Sequence, residues 1–254
     1  MDAVLSVIGS VLIVILFAGL FCLIGRTVLR KTGCSDGNRC YNIAGAYFIG
    51  MAVYLTLFRT LTLVIRSYGI VFWILLISAG IFAAIGIYRQ YFVWLIKNRG
   101  LAAGVACLWM IHTVHALLYR LIDVNQPGLS TNSSIGTIGS LRYAGIADYF
   151  VKQNRIPVLN QSYGQSLLAS FSGLFGRDNL CFALTLWLAI SGTFLCLLLY
   201  GIFRRFFSAG LSVLLICVIY MGSVSLTLAP IRVIDSDYPL LSSGYTDSIV
   251  GVAT

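Results

Sequence analysis

The residues of this chain that could do acid–base, metal or phosphate chemistry are few, and they gather at the edges of long apolar runs. All eight acids are aspartates. Asp148 stands in Ala-Asp-Tyr-Phe with Arg142 six residues earlier; a carboxylate at an apolar boundary can have its pKa tuned and serve as a base or hold a cation. The plainer reading is a surface acid paired with Arg142, Lys152 or Arg155. Asp235 and Asp237, in Ile-Asp-Ser-Asp-Tyr-Pro, have the i, i+2 spacing of a divalent-metal site, provided oxygen ligands come from elsewhere, with Asp123 as one source. A solvated turn explains the same pair without metal. His112 and His115 lie within an apolar run, where ionisable groups are functional candidates, although hydrogen-bonded histidines near the membrane boundary fit as well. Arg59 either snorkels or faces a cavity and holds a phosphate.

The elements that must carry these groups are membrane helices. Hydrophobic residues form 59% of the 254-residue chain and charged residues 10%, with a mean hydropathy of +0.93. That leaves too little polar surface for a soluble domain of this length. A span needs about 20 apolar residues to cross a hydrocarbon core. Such runs occupy 3–25, 40–65, 67–88, 101–119, 179–203 and 206–229, predicting an all-α bundle of six spans in a single domain, 1–254. Unpaired backbone groups are costly in lipid, and barrel-type alternation is absent, so the runs are read as helices.

The net charge of +9 comes from 17 bases against 8 acids and suits a membrane surface rather than nucleic acid. Arg26, Arg30, Lys31, Arg39, Arg89, Lys97, Arg99, Arg204 and Arg205 fall in short segments after the first, third and fifth runs. The positive-inside rule makes that side cytoplasmic and the N-terminus external. Cys34 and Cys40 share a loop on the cytoplasmic side and are expected to stay reduced. The segment 120–178 then becomes an outer loop and 230–254 an outer tail. Ser162 and Gln165 fit a capping box ahead of Leu167, Leu168, Phe171, Leu174 and Phe175 at helical spacing, which predicts a short amphipathic helix lying at the membrane surface. A second short helix is expected over 141–151. Sequons at Asn132 and Asn160 matter only in a eukaryotic secretory membrane. Phosphate-loop, dinucleotide, zinc-protease and nucleophile-elbow motifs are absent.

The series Arg-Tyr, Ala-Asp-Tyr, Ile-Pro and Gly-Gln-Ser-Leu-Leu across 141–175, with Gly244-Tyr245-Thr246-Asp247 further on, resembles the multi-pass glycosyltransferases of the GT-C class. That resemblance implies a polyprenyl-phosphate sugar donor, an acid role for Asp148 or Asp123 and a second position at Asp247. The class is longer and carries its acidic loop after the first span, whereas here the loop follows the fourth. The final residues, 249–254, begin another apolar run, so the chain reads as a fragment or a shortened member. Asp148 and Asp237 are therefore the candidate catalytic residues. Arg142, Gln165 and Asp247 are the candidate substrate-binding residues, and Asp123, Asp235 and Asp237 the candidate ligands of a divalent metal. The expected setting is a bacterial inner (plasma) membrane, with membrane lipids as partners and no nucleic acid. Two other classes fit the same sequence: a transporter or channel-like protein with His112, His115 and Arg59 along a path, and a noncatalytic membrane assembly partner.

Overall fold

The computed structural model describes residues 2–34, 37–88, 99–125, 145–155, 164–174 and 180–228. Among them every regular element is helical: α1 (Asp2–Thr32), α2 (Arg39–Ile65), α3 (Tyr68–Tyr88), α4 (Arg99–Asn125), α5 (145–153), α6 (Gly164–Phe171) with a 3-10 turn at Ser172–Leu174, α7 (Leu180–Phe203) and α8 (Ala209–Leu228). Four of these hold stretches long and apolar enough to cross a membrane: Val4–Thr32, Arg39–Ile65, Tyr68–Ile85 and Phe182–Phe203. The apolar stretches described in α4 and α8, Gly100–Val114 and Ala209–Ile219, are shorter. The chain thus has the make-up of an integral, multi-pass membrane protein.

Packing starts with α1 and α2. The buried stripe of α2 runs through Tyr47, Met51, Tyr54, Phe58 and Thr62, one face of a helix. Beside it, glycine lets two backbones touch. A Cβ on Gly25 would overlap the carbonyl of Ala46, and one on Gly50 would overlap that of Phe21. The two contacts are four residues apart on each helix and run in opposite directions, so α1 and α2 are antiparallel. Small residues at the interface bring helices into dispersion contact in a medium where burial away from water supplies no drive.

The two ends of the bundle differ. At one end α2 begins and α7 finishes: the side chain of Asn38 accepts from the N–H groups of Cys40 and Tyr41, capping α2, and its Nδ2 donates to Gly201 O at 3.1 Å. Gly201 lies so close to Tyr41 that a Cβ would sit 2.8 Å from its backbone nitrogen. Arg26, Arg30, Lys31, Arg39, Arg204 and Arg205 all belong to this basic end. At the opposite end α2 passes into α3 through Arg66, in the left-handed region at φ 56°, with its N–H on Thr62 O.

Two sequence expectations change. The helix expected over 162–175 to lie at the membrane surface is described over 164–174, and there it is buried in protein rather than lying on a surface. Leu167, Leu168 and Phe171 are buried, and so are Ser166, Ala169, Ser170 and Ser172 on the remaining faces. Phe171 stacks on Phe17 from the middle of α1 at 4.7 Å between ring centroids. It also meets Tyr54 and Phe58 of α2 at 6.0 and 5.4 Å and Phe72 of α3 at 5.6 Å. The short helix is a plug inside the bundle, enclosed by α1, α2, α3 and α7. Strict alternation of successive spans also fails at α4. Its contacts advance in the same sense as those of α7, Trp109 Nε1 donating to Leu186 O at 3.3 Å and His112 meeting Thr193 at 3.0 Å. Antiparallel helices would show the reverse order.

Replacing Gly50 by alanine forces a methyl against Phe21 O and should lower stability by about 1–3 kcal/mol. Gly19→Ala, with open space around the position, should leave thermal unfolding in detergent unchanged or slightly raised. Equal melting of the two variants would remove the close α1–α2 approach from the account.

Candidate functional site

The site is assembled where α5 and α6 meet the start of α3. Helices leave their first four N–H groups without intrahelical partners. In α3 all four are taken. Asn154 O accepts from Tyr68 N at 2.9 Å and Asn154 Oδ1 from Gly69 N at 2.6 Å; Ser67 Oγ accepts from Ile70 N at 3.4 Å and Ser67 O from Val71 N at 3.2 Å. Asn154 Nδ2 donates to Ser67 Oγ at 3.0 Å, tying the two caps together. Asn154 adopts φ 52° to do this, a conformation asparagine accepts more readily than most residues. The turn after α5 is thereby fixed to a membrane helix some 85 residues earlier in the chain.

On α5, Asp148 pairs with Lys152 one helical turn later, through Oδ2. Lys152 is thus the cation beside this carboxylate; Arg142 lies outside the described residues. The other oxygen, Asp148 Oδ1, is buried with no hydrogen-bond partner among them. On the neighbouring faces of the same helix, Ala147 and Phe150 are fully buried. Ala147 joins Ala169 of α6 and Leu180, Leu184 and Leu188 of α7 in one apolar cluster. Val151 presses on the 3-10 turn, where a Cβ on Gly173 would lie 2.9 Å from Val151 Cγ2. Asp148 therefore stands on a helix seated directly against α6 and its 3-10 turn.

That element brings hydroxyl groups into the bundle. Ser170 Oγ donates to Leu167 O at 2.6 Å and so accepts from Tyr68 OH at 2.7 Å, which joins α6 to α3. Ser166 Oγ and Ser172 Oγ are buried and unpartnered among the described residues, as are Tyr54 OH of α2, Trp187 Nε1 of α7 and Ser10 Oγ of α1. Tyr54 and Trp187 both pack on Phe17, at 5.5 and 6.2 Å, the ring that stacks on Phe171. A buried polar atom without a partner costs free energy. These are groups that a hydroxylated or phosphorylated molecule could satisfy. Chemically the set offers a carboxylate oxygen able to take a proton, a lysine beside it, and hydroxyl and indole donors suited to sugar or phosphate oxygens.

The remaining candidates distribute differently. His112 is buried, but its bonds close on themselves. Thr193 gives its hydroxyl hydrogen to Ala189 O at 2.8 Å, so it accepts from His112 Nδ1, and Nε2 faces the Cys196 thiol at 3.9 Å. This is the hydrogen-bonded histidine of the plainer reading. Arg59 is exposed on α2, which fits the snorkelling alternative rather than a cavity-bound phosphate. Cys34 and Cys40 are free thiols. Asp123 and Gln165 fall within α4 and α6 by backbone alone, as does His115 in α4. Asp235, Asp237 and Asp247, like Ser162 of the expected capping box, lie outside the described residues. No group of three or more potential metal ligands occurs among the described residues. Comparison with known proteins finds no matching family model, curated protein or solved structure.

Asn154→Gly keeps the left-handed backbone accessible while deleting both side-chain bonds, and should cost about 1 kcal/mol, the usual worth of a helix cap. Asn154→Ala should cost more, because it adds backbone strain. Proteolysis within 145–155 in detergent should accelerate in both. Protection equal to the unsubstituted protein would show that α5 is held by its apolar contacts alone.

Proposed function

We propose that this protein is a membrane glycosyltransferase, or a related enzyme of lipid-linked sugars, acting at the end of the bundle where α5 and α6 sit. The observation that carries the proposal is Asp148: one oxygen is held by Lys152 and the other is buried and, among the described residues, unpartnered, on a helix packed against α6 and its 3-10 turn, which carry two serines likewise unpartnered among them. In this reading Asp148 Oδ1 takes the proton from an acceptor hydroxyl as that oxygen attacks the anomeric carbon. The bond from that carbon to the carrier phosphate breaks, and the phosphate leaves with its electron pair. General-base help of this kind is worth about 10²–10⁴-fold. Ser166 and Ser172 are suited to donate to sugar or phosphate oxygens. Arg142, Gln165 and Asp247 remain the proposed substrate contacts and Asp237 the proposed second carboxylate. Asp235 and Asp237 are proposed as ligands if a divalent metal takes part; Asp123 leaves that set, because α4 runs in the same sense as α7 and its last turn falls toward the basic end.

The setting we infer is a bacterial plasma membrane with the basic end inside, since six bases of α1, α2 and the α7–α8 junction share that end (Arg26, Arg30, Lys31, Arg39, Arg204 and Arg205). The N-terminus and the α5–α6 site then face outward, and α4 and α8 supply the remaining two of six membrane-embedded helices.

Two experiments test this. In intact cells an impermeant maleimide should label Arg155→Cys, placed in a background without other reactive thiols, and should not label Cys34 retained alone; the reverse pattern would overturn the orientation. With purified protein and a radiolabelled polyprenyl-phosphate sugar, Asp148→Asn should reduce transfer at least 100-fold while membrane insertion is kept. Full transfer by that variant would remove Asp148 from the mechanism. No transfer by the unsubstituted protein with any donor would favour a noncatalytic role.

A further inference from the structure

The end of the bundle opposite Arg204 and Arg205 carries a second arrangement, at the junction of α2 with α3. Arg66 immediately precedes Ser67, and Arg155 immediately follows Asn154. The bonds that join Ser67, Tyr68 and Gly69 to Asn154 therefore bring together two arginines that are distant in sequence. Both are exposed. No hydrogen bond or ion pair to either guanidinium occurs among the described residues. Of the acids at this end, Asp148 is engaged by Lys152, and Asp2 begins α1 and is described by its backbone alone. The four leading N–H groups of α3 are already taken, so an anion at this junction is met by guanidinium groups and not by the helix terminus.

Arg66 occupies a costly position for its type. The residue that follows a helix in the left-handed region is usually glycine, which has no Cβ to clash. Here the chain keeps an arginine at φ 56°. A residue held in a sparsely populated conformation points to a use for its side chain. From the same junction α3 leads away with Ile70, Trp73, Ile74, Ile77 and Ile81 exposed along one face. Trp73, in the second turn of α3, suits the level between headgroups and chains. Positive charge at the junction, a ring next to it and an apolar strip leading away match a lipid that ends in phosphate.

We propose that the α2–α3 junction binds a lipid bearing a phosphate monoester. Arg66 and Arg155 take the phosphate, and the apolar chain lies along the strip from Ile70 to Ile81. A phosphate monoester carries about two negative charges near neutral pH, whereas a phosphodiester headgroup carries a single one. Two guanidinium groups match the monoester in charge, and each presents a fork of N–H donors to its oxygens. Attraction of basic residues to anionic lipid makes the two arginines together worth at least about tenfold in affinity.

The test uses the full chain purified in neutral detergent and titrated with phosphatidic acid, phosphatidylglycerol, phosphatidylcholine or inorganic phosphate, with thermal unfolding as readout. Phosphatidic acid should raise the midpoint in a saturable way and phosphatidylglycerol should act more weakly; phosphatidylcholine and inorganic phosphate should not act. The double variant Arg66→Gly/Arg155→Gln should need at least about tenfold more phosphatidic acid for the same shift. Glycine relieves the backbone at position 66, so the variant's own midpoint should not fall, which separates lost binding from lost fold. A phosphatidic acid shift matched by either other lipid or by inorganic phosphate would overturn the proposal, as would an unchanged titration in the variant. Should the double variant not fold, Arg155→Gln alone and the lipid comparison on the unsubstituted protein decide. Sugar transfer plays no part in the readout, so this result stands apart from the function proposed above.

Discussion

The stack of Phe171 on Phe17 is the contact through which the rest of the bundle is coordinated. A helix of eight residues with a 3-10 turn leaves much of its terminal backbone without intrahelical partners, and this one is buried from Ser166 to Ser172. It persists only if protein surrounds it. The chain meets that demand with aromatic rings from α1, α2 and α3, and with Trp187 of α7 packed on Phe17 and Phe21. Each aromatic contact contributes about 0.5–1.5 kcal/mol beyond its area. What matters more is that five elements share the same few rings. Tyr68 extends the arrangement by reaching Ser170, so α3 is bound to the plug by both packing and a hydrogen bond.

Close helix contact is the second requirement, because a plug between splayed helices would be exposed to lipid. Gly25 and Gly50 allow α1 and α2 to touch backbone to backbone, and Gly201 does the same for α7 against α2. Tyr47 then fills the space between α2 and α7, stacked on Phe194 at 4.0 Å and hydrogen-bonded to Ser191 at 3.0 Å. Glycine at these positions is a packing residue. Gly19 and Gly80, with nothing near them, have no such role.

Much of the fold can be read from the chain because hydropathy over about 20 residues is a strong signal: α2, α3 and α7 begin and end near the edges of the apolar runs, while α1 continues about two turns past its run, through Arg26, Arg30 and Lys31 to Thr32. Periodicity alone misplaces the plug. Leu167, Leu168 and Phe171 on one side and serines on the other look like a surface helix. Ser166, Ala169, Ser170 and Ser172 are also small, however, and in a membrane bundle small residues mark faces that pack against other helices. That reading would have put the segment inside. The pairing of Asp148 with Lys152 is legible in the i, i+4 spacing on a short helix. Asn154 could not have been foreseen, since its partners Ser67, Tyr68 and Gly69 are distant in sequence and only folding brings them together.

The difference between His112 and Asp148 shows why burial alone does not mark a site. His112 is the deeper of the two and lies within an apolar helix, the usual reason to suspect function. Yet Thr193 fixes its tautomer and Cys196 faces its other nitrogen, so the ring works as a fastener between α4 and α7. Asp148 is shallower and half answered. Lys152 neutralises part of its charge, which makes the partial burial tolerable, while Oδ1 has no donor among the described residues. Folding a chain around an unpaired carboxylate oxygen costs free energy that a neutral side chain would avoid. The same helix carries Ala147, Phe150 and Val151 into the core, so packing holds the acid in that position against its own desolvation. An acceptor held in place by packing, on a helix seated against α6 and its 3-10 turn, is the feature on which the proposed proton transfer rests.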